Sequence, residues 1–483
     1  MAEDSSQATT GWWGAIVSGY MRFSECIEKY LTVLTVGAFV GGIVLASVWP
    51  AVSDAISGGI NWFVDFYGFI APVAIYAILA PALARMVGAR TGRGGAFAGF
   101  AIYWLTVRRL ISLVWAVVFT VVVFGLPLFS TGSSSLWESA TKTLSSMGWM
   151  MTHSTYFYAM YLAVLTVIVA KKSPKISGVL NQCAVAVEVV GQAFVPVVPL
   201  FIFAVAAYIY ALPENLKAQI GSGAEGTVLK PLWVLGWEIP SNTPLGIVTC
   251  YVVISLLIGV ACIMWQGVLL GIVKRKNPSF SIRHYFSNYW VNVYPFLWAT
   301  SSEALATPLN LYLVKKYFPQ IRTDVRRFVI GVGSYLSING TMICVIVLLG
   351  AVVQILGIPV TMVDLLLCIP LVFLIGFAVP GIPGELLLFA GPIVTLLGFP
   401  EATSVAFLAL YLGLQLGLPD SFRTGNNSTD DCVMAILLNR YYEERFASLD
   451  QLEEPHGLDD RAAQMKWTEE EVASEPVSSL VRD

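Results

Sequence analysis

Apolar runs of about 20 residues, long enough to cross a bilayer as a helix, recur along most of the chain and constrain it more than any other feature. They fall at about 30–50, 60–86, 96–128, 149–170, 179–212, 244–273, 326–356 and 403–440. Two further apolar segments, about 286–317 and 360–399, are interrupted by proline and small residues. Hydrocarbon offers the backbone no hydrogen-bond partner, so runs of this kind fold as helices. Composition agrees: 57% of the 483 residues are hydrophobic, 12% are charged, and mean hydropathy is +0.73. A soluble domain averages about 25% charged residues. A soluble multidomain enzyme, a nucleic-acid binder and a disordered regulator are thereby excluded. The expected fold is an all-α polytopic membrane protein with eight transmembrane helices and two interrupted segments.

The net charge of −3 is unevenly divided. Residues 441–483 hold 12 acids and 4 bases, a local −8, so the preceding 440 residues carry +5. Within that body the bases gather on alternate connections: Arg85, Arg90 and Arg93; Lys171, Lys172 and Lys175; Lys274, Arg275 and Lys276; Lys315, Lys316 and Arg322. Basic connections stay on the cytoplasmic side. With an even number of spans, both termini are expected there, in a cell (inner) membrane. The expected divisions are a cytoplasmic segment 1–29, spans one to six in 30–285, a core 286–440 and an acidic cytoplasmic tail 441–483. The seven cysteines and three histidines are scattered without metal-ligand spacing, and no cofactor is expected beyond a coupling ion.

Polar groups inside spans are expensive, so each is a functional candidate. They cluster in four places. Trp298–Pro308 is a Ser/Thr-rich break; Ser337-Ile-Asn-Gly-Thr341 lies within span seven; Val379–Glu385 breaks the second interrupted segment; Pro419–Asp431 is a polar stretch in span eight. Two interrupted segments, each followed by a span with a polar break, point to an inverted-repeat transporter with halves 286–356 and 360–440. In span eight, Asp420, Arg423, Asn427 and Asp431 share one face of a helix. A fixed cation between two anions suits a zwitterionic ligand with an extra carboxylate: Arg423 offers its planar fork to a carboxylate, Asp420 receives an ammonium group, and Asp431 ligates a small cation. A structural Asp–Arg pair within the helix is the simpler alternative. An intramembrane enzyme is disfavoured, because Asp420 and Asp431 lie about three turns apart and cannot share a proton.

These motifs resemble those of the dicarboxylate/amino acid:cation symporter family, the glutamate-transporter homologues. That family has a Ser-rich tip on the first of two re-entrant helical hairpins, NMDGT in span seven, Gly-Pro-Gly at the second tip, and D-x-x-R-T-x-x-N-x-x-G-D in span eight. The resemblance implies that Ser301 and Ser302 meet a substrate carboxylate, with Thr341 nearby. It gives Arg423 the substrate's side-chain carboxylate and Asp420 its amino group, with Thr424 and Asn427 completing the pocket. Ile382, Pro383 and Gly384 would form the closing tip. Asp431, with backbone carbonyls around Gly333, Ser337 and Asn427, would hold sodium. The implied activity is symport of acidic amino acids or dicarboxylates, coupled to sodium, protons or both, by elevator-type alternating access in a homotrimer. Carriage of neutral amino acids, or an uncoupled channel or sensor on the same fold, are the alternatives.

The chain departs from that pattern at several positions. The signature aspartate is Asn339 and its preceding asparagine is Ser337. The span-three part of the ion site resembles Tyr103, Thr106 and Val107, and Arg108-Arg109 follow at once. Either one arginine occupies the cation site as a tethered charge, or the pair snorkels to an interface. Glu385 stands where a small tip residue is expected; it is a candidate proton carrier, or it faces solvent.

Overall fold

The computed structural model describes residues 12–56, 95–129, 155–170, 195–220, 229–300, 303–336, 338–377, 386–399 and 401–446, with short pieces between 58 and 183. Ser301, Ser302, Ser337, Ile382, Pro383, Gly384, Glu385 and the acidic tail beyond 446 lie outside the described residues, as does most of the expected second span. What is described is mostly helical. The helices that matter below are α1 (Trp12–Val48), α2 (Gly95–Phe124), α3 (Thr155–Ala170), α4 (Val198–Ile220), α5 (Pro244–Lys276), α6 (Val291–Thr300), α7 (Glu303–Tyr317), α8 (Thr323–Leu336), α9 (Asn339–Ile355), α10 (Met362–Ile375), α11 (Leu387–Leu397), α12 (Glu401–Gln415) and α13 (Leu418–Arg445). A two-stranded hairpin, Leu232–Val234 against Trp237–Ile239, precedes α5 and turns through Leu235 and Gly236, both at positive φ.

Among the described residues, three stretches are long and apolar enough to cross a membrane: Ala96–Phe124, Pro244–Lys276 and Val325–Ile355. A fourth results if Thr403–Gln415 and Leu418–Arg445, bent by 62° at their junction, count as one span. Shorter apolar helices stand where the first, fourth and fifth spans are expected. The protein is a multi-pass membrane protein built from helices. The two interrupted segments each fold as a pair of helices, α6 with α7 and α10 with α11.

The expected break in span eight needs correcting. Residues 419–431 lie within one unbroken helix, α13, and the chain bends just before it, at Leu416–Gly417, where Gly417 has φ +81°. Pro419 causes no break because it sits in the first turn, where a missing N–H is harmless. Tyr251 on α5 serves the backbone freed by the bend: its hydroxyl donates to the Leu416 carbonyl at 2.7 Å and accepts from Leu418 N–H at 2.7 Å. Polar side chains did not stop this helix, because its neighbours satisfy them.

The core centres on α9, which is apolar on every face and, apart from Gln354, buried throughout. It packs against α2, α5, α12 and α13. Where α9 crosses α13, Gly340 lets the two backbones meet: a Cβ there would stand 2.3 Å from the Arg423 carbonyl oxygen. Because that neighbour is backbone and cannot swing aside, Gly340→Ala is expected to cost about 2 kcal/mol, within the range for overpacked cores. Thermal unfolding in detergent measures it, and an unchanged midpoint would contradict the close crossing.

Candidate functional site

α13 brings Asp420, Arg423, Asn427 and Asp431 onto one face, at steps of three, four and four residues, and all are buried. Arg423 Nε donates to Asp420 Oδ1 at 2.6 Å, and its Nη1 donates to Thr341 Oγ1 at 3.1 Å. The same Nη1 lies 3.8 Å from Glu303 Oε1. Asn427 ties this group together: its amide nitrogen donates to Glu303 and, at 2.9 Å, to Thr341 Oγ1. Its amide oxygen accepts from Gly340 N–H at 2.6 Å, one of the N–H groups that the start of α9 cannot satisfy within the helix. Thr424 turns its hydroxyl back onto the Asp420 carbonyl at 2.9 Å. Thr341, Asp420, Arg423 and Asn427 therefore come together as expected, while Ser301, Ser302 and the second hairpin tip fall outside the described residues.

Glu303, at the start of α7, is legible in the sequence as one of the few charges at membrane depth, but spacing gives it no place in the pocket. Its signal was an acid placed directly after Ser301-Ser302 in an apolar segment. It converts a simple Asp–Arg pair into a guanidinium flanked by two carboxylates from two elements. That arrangement is charge-assisted and fixed in direction, so it can exchange one internal carboxylate for an incoming one.

The second cluster lies further along α13. Gly333 on α8 faces Asp431, since a Cβ there would come within 2.5 Å of its carboxylate. Arg108 on α2 reaches the same carboxylate, with Nη2 3.3 Å from Asp431 Oδ1, and its Nη1 donates to the Asp430 carbonyl at 2.9 Å. Asp430 accepts from Gln266 Nε2 at 3.1 Å, Asn339 Nδ2 at 3.0 Å and Asn426 Nδ2 at 3.3 Å. Sequence reasoning missed Asp430 and Gln266. The first was legible as an acid directly before Asp431; a single glutamine on α5 carried no pattern.

Arg109 points elsewhere, as consecutive helical residues do. It donates to the Phe373 carbonyl near the end of α10 and lies over the rings of Phe373 and Phe377, 4.9 and 4.2 Å from their centroids. Arg108 and Arg109 are 4% and 0% exposed, which ends the snorkelling alternative. Tyr103, five residues before Arg108, is exposed and takes no part in the cluster.

Sodium takes oxygen ligands, which carriers of this kind present as carboxylates and unwound or helix-terminal carbonyls. Here the Asp431 carboxylate and the neighbouring Asp430 carbonyl both face the guanidinium of Arg108. Arg108 thus lies against two of the oxygens that a sodium ion beside Asp431 would use.

Residues 238–441 match the family model described as the sodium:dicarboxylate symporter family. Over that stretch the chain is similar to this family. The match takes in α6, α7, α9, α10, α11 and nearly all of α13, so both clusters lie within it apart from Arg108 and Arg109 on α2. The similarity is to a family of membrane transporters.

Proposed function

We propose that the protein is a secondary-active transporter of acidic amino acids or related dicarboxylates, working by elevator-type alternating access. The observation that carries this reading is Arg423, fully buried, held by Asp420 at 2.6 Å and Thr341 at 3.1 Å. A guanidinium fixed in this way offers a substrate carboxylate a preorganised partner, and Asp420 beside it suits the α-ammonium. The hairpin–helix half, 286–440, would carry the substrate against a scaffold of spans one, two, four and five. A homotrimer in the cell membrane, with both termini cytoplasmic, completes the proposal. Ser301, Ser302 and the tip Ile382-Pro383-Gly384 would close the pocket.

The reading is tested by uptake into proteoliposomes. Asp420→Asn is expected to lower uptake of L-aspartate about 10- to 100-fold, the value of a charge-assisted hydrogen bond of roughly 1.5–3 kcal/mol. Succinate, which has no ammonium group, should lose less. Equal loss for both would reduce Asp420 to a support for Arg423.

Glu303 favours a second reading. It brings an internal carboxylate to within 3.8 Å of Arg423, which in a site for a neutral amino acid takes the place of a substrate side-chain carboxylate. Competition between L-serine and L-aspartate separates the two. Saturable inhibition by L-serine with none by L-aspartate would replace the acidic substrate with a neutral one.

A further inference from the structure

We propose that Arg108 and Arg109 are resident cations standing in for transported sodium, so that this chain moves its cargo without binding that ion. The argument begins with charge. In the cluster around Asp431 one carboxylate has been exchanged for another: Asn339 has replaced the signature aspartate, and Asp430 has appeared where the pattern has glycine. One buried positive charge, Arg108, has been added beside them, and a second, Arg109, is buried next to it on α2. Two adjacent carboxylates at membrane depth must be compensated. In a cation-coupled carrier, ions from solution do this; here the chain supplies Arg108, on Asp431 at 3.3 Å and on the Asp430 carbonyl at 2.9 Å.

Arg109 serves a second position of the same kind. The last carbonyls of α10 lack partners within the helix and carry its negative dipole end, a place that favours a cation. Arg109 donates to one of them, from Phe373. Gly376 leaves room for it, since a Cβ there would run into the guanidinium, and the faces of Phe373 and Phe377 cover the charge. Because consecutive residues diverge by about 100° around a helix, one Arg-Arg step on α2 reaches both α13 and α10.

The inference rests on the transporter reading above but not on its cargo, and sodium binding can be measured without substrate. Purified protein is equilibrated with radiosodium in choline chloride. Wild type is expected to show no saturable binding, and uptake of L-aspartate should agree within about twofold in sodium and in choline, since a ligand that binds neither state shifts nothing. Arg108→Gln keeps a donor for the Asp430 carbonyl and removes the charge; it should gain saturable sodium binding and a sodium-dependent rise in melting temperature. Arg108→Lys should remain insensitive to sodium. Saturable binding by wild type overturns the proposal, as does folded Arg108→Gln that binds no sodium. If Arg108→Gln fails to fold, the wild-type measurement still decides. Loss of L-aspartate uptake alone, with wild type blind to sodium, would refute the cargo and leave this inference standing.

Discussion

Arg423→Lys is expected to lower L-aspartate uptake about 100-fold while leaving the protein folded. The guanidinium uses different nitrogens for Asp420 and Thr341. A lysine ammonium, a single tetrahedral nitrogen on a flexible stem, cannot hold that fork and also present a flat edge to a carboxylate. Losing one charge-assisted bond and the orientation that goes with it amounts to roughly 2–3 kcal/mol, about two decades in affinity. Lysine keeps a positive charge between Asp420 and Glu303, so the buried acids stay compensated. Alanine would be less informative: it leaves two carboxylates buried without their cation, at about 3–5 kcal/mol. Uptake of labelled L-aspartate, read beside a melting curve, checks this. Uptake within a few-fold of wild type would make Arg423 a structural tie.

The second large effect concerns the Arg108–Asp431 pair. In choline chloride, Arg108→Met is expected to destabilise the protein by about 3–5 kcal/mol, because it strands a buried carboxylate. Asp431→Asn, which strands the guanidinium, should do similar damage. The double variant removes both charges and should recover much of the loss, giving a coupling of about 2 kcal/mol or more. Denaturant titration of all four proteins in detergent measures that cycle. Additive losses would show that the 3.3 Å contact carries no coupling.

The helices were legible because lipid leaves a chain few choices: long apolar runs become helices, and proline with small residues marks where they stop. The stripe on α13 was legible for a related reason, since charges spaced by three and four have one geometric meaning on a helix. The bend falls at Gly417, a few residues before the polar stretch, because Pro419 in the first turn starts the helix instead of breaking it. Neighbouring elements satisfy the polar side chains, and the backbone runs on. Gln266, Asp430 and Glu303 could not be assigned to the clusters from spacing, because their partners lie on other helices: Gln266 meets Asp430 across 164 positions, and Glu303 meets Asn427 across 124. Arg108 and Arg109 were visible as misplaced charges, but which helix each would reach depended on packing.

The contact between Arg108 and Asp431 joins residues 323 positions apart, and this bears on how the protein is made. A helix like α13, with Asp420, Arg423, Asp430 and Asp431 inside it, gains nothing by entering lipid alone, at about 2.5–3.5 kcal/mol per central charge. Its counter-charge, Arg108, is synthesised long before it, on a helix that must hold that arginine until the last span arrives. Biogenesis therefore ends with an ion pair closing inside the bilayer. A chain stopped before residue 418 would give Arg109 its partners on Phe373 and Phe377 but leave Arg108 without Asp431.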